Sequence, residues 1–368
     1  MLNKGAELML LAVLEQIEKH DPSAIVYYNA QGKLKDYVRA ESKLEIRQRS
    51  ALKYSRFPIA IFKRLNIPYT YFTEKFAIDN LDVVLDASGF QFSDQWDYSG
   101  ERLDILENYY RELKDKGTKI ILLPQAFGPF ETKAGKRAVD ILERYVDVII
   151  AREEISKKYV VDAGASLDKV WKCTDFTLLV KGSFPQKYSQ VRDKVCIIPN
   201  QKMVTHTAAD SAKYWTFLEN LIIETEKEGY QIFLLNHEGS KDLEMCNEIN
   251  KRFENRFDVI SDLNAKEIKG IIGASFITIS SRFHGVASSL NQAIPCLATS
   301  WNHKYEMLFK DFDLKNNVLY LDSEKDVNER KVSNVLSHRS EIHKKLNDRK
   351  SVLENEVENM WEKVWTSV

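Results

Sequence analysis

Apolar residues along this chain follow two alternating rhythms. Short runs rich in β-branched side chains at 24–28, 82–86, 119–123, 147–151 and 169–173 read as strands. Between them, apolar positions spaced three and four apart predict helices over 7–19, 102–116, 133–145 and 153–162. A polar stretch at 181–193, carrying Gly182, Ser183 and Pro185, breaks the alternation and reads as an interdomain linker. The pattern then resumes, with strands expected at 195–199, 231–235, 258–261, 276–280 and 295–299. Helices are expected near 210–229, 241–253, 265–273, 285–291 and 303–310.

Strand and helix in strict alternation is the signature of βαβ units and parallel sheets. The fold class expected is therefore α/β, with two Rossmann-like parallel-sheet lobes facing a cleft. The boundaries expected are an N-terminal lobe over 1–180, a C-terminal lobe over 194–335 and a terminal helix over 336–368. That helix carries Ile342, Leu346, Leu353, Val357, Met360, Trp361, Val364 and Trp365 on one side. Such a stripe packs on the body of the protein or pairs with a second copy in a homo-oligomer. At the other end, Asn3-Lys4-Gly5 runs straight into the first helix as a phosphate-binding loop would. Only two residues precede it here, so the strand expected first is absent from this stretch, through either a truncated start or a sheet that lacks an edge.

Composition narrows the class. The chain has 368 residues, 44% of them hydrophobic and 29% charged, and a length that favours two cores over one. Its 53 Lys+Arg against 54 Asp+Glu leave a net charge of -1, which gives no global reason to bind nucleic acid. The four cysteines, Cys173, Cys196, Cys246 and Cys296, are widely spaced and form no CxxC pair. They read as buried thiols of a reducing compartment, and no His, Asp and Glu cluster has metal-site spacing. No apolar run is long enough for a membrane span and no signal-peptide pattern opens the sequence, so a cytoplasmic protein is expected. The stretch 35–64 holds nine Lys/Arg against Asp36, Glu41 and Glu45. It is a solvated helix face, or a patch for peripheral contact with anionic lipid or a lipid-linked pyrophosphate.

The segment SSRFHG at 280–285 concentrates the chemistry. It lies where a strand gives way to a helix, and free N–H groups at a helix start attract anions. Arg282 adds a planar fork for a carboxylate or phosphate, and His284 is the side chain suited to moving a proton near neutral pH. Gly285 would let a ligand approach the backbone. The plainer alternative is that Ser281 caps the helix and Arg282 pairs with an acid.

From these residues the chain resembles the polysaccharide pyruvyltransferase family. The stretch SSRFHGVASSLNQAIPCLATSWNHKYEMLFKDFDL is similar, in order and spacing, to that family's C-terminal Ser-Arg-(Leu/Phe)-His signature. LLPQAFGPF at 122–130, IIAREEIS at 149–156, the early Asn3-Lys4-Gly5 loop and Asp175 agree as well. One departure is Asp86-Ala87-Ser88-Gly89-Phe90, where the family commonly carries a run of glycines. The resemblance implies a transferase that moves the pyruvyl group of phosphoenolpyruvate onto hydroxyls of a sugar in a surface polysaccharide or glycan precursor, forming a ketal. Phosphoenolpyruvate would be a co-substrate, with no further cofactor, and the sugar acceptor could be lipid-linked.

By that resemblance the C-terminal lobe holds the donor through Arg282, His284 and the backbone of Phe283. Arg152 would reach the same anion from the acceptor-side lobe, unless it pairs with Glu153 or Glu154. His284 would be the acid. Asp94 or Asp86 would orient or deprotonate the sugar hydroxyl, Gln125 would bind sugar or tie down its turn, and Asn3 would touch substrate. Phe90, Phe92, Trp96 and Tyr98 would stack on sugar or pack inward. His237, His206 and His303 are weaker candidates, and Asp311-Phe312-Asp313 copies a metal-binding Asp-x-Asp at a helix end, out of place for that role. The rival readings are a nucleotide-sugar-dependent glycosyltransferase and a catalytically silent binding protein on the same fold.

Overall fold

The computed structural model describes residues 3–28, 34–48, 81–205, 211–299, 304–314 and 317–368. Its elements, in chain order, begin with α1 (Lys4–His20), β1 (Ile25–Tyr28), α2 (Asp36–Glu41), β2 (Glu45–Gln48) and β3 (Val83–Asp86). There follow α3 (Gly100–Asp115), β4 (Lys119–Gln125), α4 (Lys133–Tyr145), β5 (Val148–Ala151), α5 (Glu154–Asp162) and β6 (Val170–Lys172). Next are β7 (Val195–Ile198), α6 (Lys202–Thr205), α7 (Ser211–Lys227), β8 (Ile232–Leu235), α8 (Gly239–Arg252), β9 (Asp258–Ile260) and α9 (Ala265–Gly273). The chain closes with β10 (Thr278–Ser280), α10 (Phe283–Leu290), β11 (Cys296–Thr299), α11 (Lys304–Asp311), β12 (Val318–Leu319), α12 (Lys325–Ser337) and α13 (Arg339–Thr366).

Two compact units result. Met9–Thr174 with Asn359–Val368 form one, and Leu2–Leu8 with Asp175–Glu358 form the other. The first unit holds a parallel sheet in the order β3-β4-β5-β6. Strands β4 and β5 are buried on both faces, as their unbroken apolar sequences require. Leu103, Ile120, Leu122, Val139, Leu142 and Ile149 form the core between this sheet and its helices. The expected strand at 24–28 is present as β1, but among the described residues it pairs with β2 rather than with the four-stranded sheet. β2 has a polar, charged sequence, Glu-Ile-Arg-Gln, which carried no strand signal.

The second unit is built on six parallel strands in the order β12-β11-β10-β7-β8-β9. The strand order reverses between β7 and β10, the first and fourth strands of the set. Open α/β sheets bind ligands just beyond the carboxyl ends of strands at such a reversal. Core residues on one face include Cys196, Ile198, Phe233, Leu235, Ile268 and Ile272. The expected linker 181–193 is in part a 3-10 turn, Gln186–Val191, and it is held close to α9. A Cβ on Gly182 would lie 2.6 Å from the Gly270 amide nitrogen, and one on Gly270 would lie 2.3 Å from the Ser183 carbonyl.

The terminal stripe is buried as a helix packed on the protein. Leu346, Leu353, Val357, Met360, Trp361 and Val364 are all inside. Within the first unit Trp365 stacks on His20 with ring centroids 4.4 Å apart. β12 and α12 went unanticipated, since β12 has two residues and α12 is mostly polar. No helix among the described residues is long and apolar enough to cross a membrane. The basic stretch 35–64 lies outside the described residues from position 49 onward.

The Gly270 contact is with backbone, which cannot swing aside. Gly270→Ala should therefore lower unfolding stability by about 1–3 kcal/mol. Gly100→Ala, where an added Cβ meets nothing within 4 Å, should leave it nearly unchanged. Urea unfolding of both variants checks the contrast.

Candidate functional site

The site of the second unit begins at the turn from β10 to α10. Ser281 at that turn is held from several directions. Its amide donates to the Ile198 carbonyl at 2.9 Å. Its own carbonyl accepts from Asn200 Nδ2 at 2.8 Å and from the Tyr305 hydroxyl at 3.0 Å, and its Oγ accepts from the Tyr214 hydroxyl at 2.7 Å. Burial pushes the Tyr214 phenol upward, so it remains a donor. Ser280 Oγ closes the turn locally, accepting from the Arg282 amide and donating to the Arg282 carbonyl, both at 3.0 Å. Asn200 and Ser281 follow β7 and β10, so these bonds knit together the point where the strand order reverses.

Arg282 is the N-cap of α10, and its guanidinium is already engaged. Nε and Nη2 donate to the two oxygens of Asp242 at 2.7 Å each, and Nη1 donates to Glu238. Asp242 has no exposed surface and also accepts from the Gln201 amide at 3.1 Å. The fork expected to grip a substrate anion thus holds a protein carboxylate, and Arg282 ties α8 to the turn. Gly285 differs from expectation in the same way. The space beside it is filled by Ser280 Oγ and Ile198 Cδ1, 2.4 and 3.0 Å from a built Cβ, rather than left for a ligand.

His284 occupies the first turn of α10, edge-on to Phe283 at 5.4 Å between ring centroids. Phe283 is in turn edge-on to Tyr305 at 5.8 Å. Against the His284 imidazole lies the first turn of α1. A Cβ on Gly5 would sit 2.1 Å from Nδ1, so only glycine permits the approach. Asn3, expected to touch substrate, caps α1 instead: its Oδ1 accepts from the Ala6 amide at 3.0 Å. Lys4 pairs at 3.1 Å with Glu7, whose Oε1 also accepts from the Ala265 amide at 2.8 Å at the start of α9. The fully buried Glu7 carboxylate thereby anchors the glycine turn to a helix N-terminus, a favourable place for negative charge.

His237, two residues past β8, completes the cluster. It is 5% exposed, and its Nδ1 has no partner among the described residues. Burial drives its pKa well below the usual value, and the positive charge of Arg282, His284 and Lys4 drives it further. A neutral imidazole therefore sits among three basic groups.

In the first unit, three expected residues stand at the carboxyl ends of adjacent strands. Asp86 closes β3, Gln125 closes β4, and Arg152 follows β5, donating its amide to the Gln125 carbonyl at 3.0 Å. Burial raises the Asp86 carboxyl, although the Ser88 hydroxyl and amide, both hydrogen-bonded to Oδ1, oppose the rise. Gln125 is fully buried. Its Oε1 accepts from the Gln91 amide at 3.3 Å, while Nε2 has no partner among the described residues. Arg152 contacts Glu153 at 3.4 Å, so the expected ion pair is formed.

Asp94 is drawn into a structural role. Its carboxylate accepts from the amides of Glu131 and Thr132 at 2.6 and 3.0 Å and from the Thr132 hydroxyl. Burial pushes its pKa up, but these bonds and the charge of Lys136 outweigh that and hold it below the usual range. An ionised carboxylate saturated by the start of α4 is a poor base. Phe92 and Tyr98 pack inward, whereas Phe90 and the exposed Trp96 form an edge-on pair at 5.4 Å. Asp311-Phe312-Asp313 ends α11 with Phe312 buried, and no group of three His, Cys, Asp or Glu among the described residues could hold a metal. His206 and His303 lie outside the described residues.

A reversal-point turn bearing Arg-Phe-His on one parallel sheet, in a chain that carries a second parallel-sheet unit, defines a Rossmann-like α/β protein of the GT-B-like class. The chain belongs to the polysaccharide pyruvyl transferase family, whose sequence model matches residues 3–303. No curated protein matches the sequence. Among solved structures, it is similar to HepE of Anabaena in complex with UDP and glucose (TM-score 0.60, 11% identity, 99% of this chain and 95% of that one). It is also similar to the UDP-GlcNAc 2-epimerase of Neisseria meningitidis bound to UDP-GlcNAc (TM-score 0.61, 11% identity, 99% and 98% covered). A third is the lipopolysaccharide outer core galactosyltransferase WaaB (TM-score 0.51, 13% identity, 99% and 96% covered). At these identities the likeness is one of fold.

Asp242 and Glu238 carried no signal in sequence, because acids on a polar helix are ordinarily solvated. Removing Asp242 would strand a buried guanidinium, so Asp242→Ala should cost about 3–5 kcal/mol of stability by urea unfolding. His237 gives a pH signature. With its folded pKa depressed, the unfolded chain binds the proton first, so stability falls as pH drops below about 6.5, by up to about 1.4 kcal/mol per unit. His237→Gln should remove that one-proton slope between pH 7 and 5, measured by the same method.

Proposed function

We propose that this protein transfers the pyruvyl group of phosphoenolpyruvate to a sugar of a surface polysaccharide or its precursor. The observation that carries the proposal is the cluster at the strand-order reversal of the second unit. There His284 lies against the first turn of α1, with Lys4, His237 and the Arg-Phe-His turn around it. Two helix starts and a lysine supply positive potential for a donor that carries a carboxylate and a phosphate. Arg282 acts by fixing the turn, and Phe283 offers its backbone at the start of α10.

In the reaction proposed, a proton passes from His284 to C3 of the enol and C2 gains oxocarbenium-like character. One sugar hydroxyl attacks C2 and loses its proton to a carboxylate base, phosphate leaves with its bonding pair, and a second hydroxyl of the same sugar closes the cyclic ketal as its proton passes to the released phosphate. General acid catalysis of this kind contributes about 10²–10⁴-fold. The acceptor is assigned to the first unit. Asp86, whose carboxyl pKa burial raises, is the better base than Asp94, Gln125 Nε2 is a buried donor for a sugar hydroxyl, and Arg152 is a substrate-binding cation. The work is assigned to the cytoplasm, where a lipid-linked acceptor would bring the protein to the inner face of the membrane.

The solved relatives of similar fold that hold UDP or UDP-sugars define the rival reading, a nucleotide-sugar enzyme. Thermal and chemical unfolding with phosphoenolpyruvate, UDP and GDP separates the two. Phosphoenolpyruvate at one hundred times its dissociation constant should add about 2.7 kcal/mol of stability, and UDP or GDP should add none. His284→Ala should lower phosphate release from phosphoenolpyruvate in the presence of acceptor sugars by about 10²-fold or more. Stabilisation by a nucleotide alone would overturn the assignment.

A further inference from the structure

His237 has no part in the chemistry just described, yet its setting is unusual for a histidine that merely fills space. It is 5% exposed, and Nδ1 is buried without a hydrogen-bond partner among the described residues. A buried polar atom left in that state is destabilising, and a ligand able to pair with it would recover the loss. Asn236, the residue before it at the carboxyl end of β8, likewise has a buried Oδ1 with no partner among the described residues. β8 lies next to β7, at whose far side the strand order reverses, so both atoms belong to the ligand-binding edge of the sheet.

The charges around His237 come from several elements. Lys4 on α1, Arg282 at the cap of α10 and His284 within α10 act on it directly. The acids Glu238, next in the chain, and Asp242 on α8 are committed to Arg282. Among the described residues, neither of these acids is left to stabilise an imidazolium at His237. An arriving phosphate or carboxylate would supply that missing negative charge.

We propose, on the footing of the donor assignment above, that His237 is a second anion-binding imidazole of this pocket, neutral when the pocket is empty and protonated by solvent when a multiply charged anion binds, with Nδ1–H then donating to the anion. His284 delivers a proton to carbon in the reaction, whereas His237 acquires one from water and keeps it while the anion stays. The role is one of binding and positioning, and donor affinity carries its pH dependence.

Isothermal titration with phosphoenolpyruvate in buffers of differing ionisation enthalpy, above pH 7, reads the proton directly. The wild-type protein should take up a large fraction of one proton on binding, and His237→Gln and His237→Asn should bind more weakly and take up much less. His284→Gln should retain the uptake. The wild-type protein alone gives a second measure: its dissociation constant should rise with pH above 7, by up to about tenfold per unit, until the bound imidazole titrates. Undiminished uptake in both His237 variants would overturn the proposal, as would a wild-type affinity independent of pH, while the donor assignment would stand. Absence of any phosphoenolpyruvate binding by the wild-type protein would instead remove the donor assignment, and this inference with it.

Discussion

The candidate site depends on an ion pair with almost no access to water. Asp242, fully buried, takes the Arg282 fork with both oxygens, and Glu238 takes the remaining edge. A guanidinium in that position without partners would be too costly to bury, so the pair is obligatory rather than decorative. Its effect is geometric: α8 is fastened to the turn that follows β10, and the start of α10 acquires a fixed direction. That helix start carries His284, against whose imidazole the glycine turn of α1 lies.

Much of the architecture could be read from periodicity. The strands buried on both faces, β4, β5, β7 and β8, have sequences such as VIIA, VCII and IFLL that have no plausible exposed setting. Helices α4 and α9 were equally legible from their apolar spacing, and the structure caps the first with Thr132 and the second with an Asn264–Glu267 capping box. What failed to show were elements lacking an apolar rhythm. β2 is stabilised by its pairing with β1, and α12 buries only a few apolar side chains along a charged helix.

At the site, residue types were legible but their partners were not. The motif around His284 announces itself by its place between a strand and a helix. Nothing in the sequence discloses that Arg282 is claimed by acids some forty positions earlier, or that Asn3 and Asp94 spend their oxygens on helix starts. Those are long-range or loop-dependent matches, decided by packing. Gly5 could have been singled out, since a glycine in the first turn of a long helix is costly unless something must come close to it. The something is an imidazole.

The four hydrogen bonds that hold Ser281 have a consequence for recognition. Because Ile198, Asn200, Tyr214 and Tyr305 already fix this turn, its backbone has little freedom left to lose when a guest arrives. The ordering entropy of this turn is spent during folding rather than at the moment of binding.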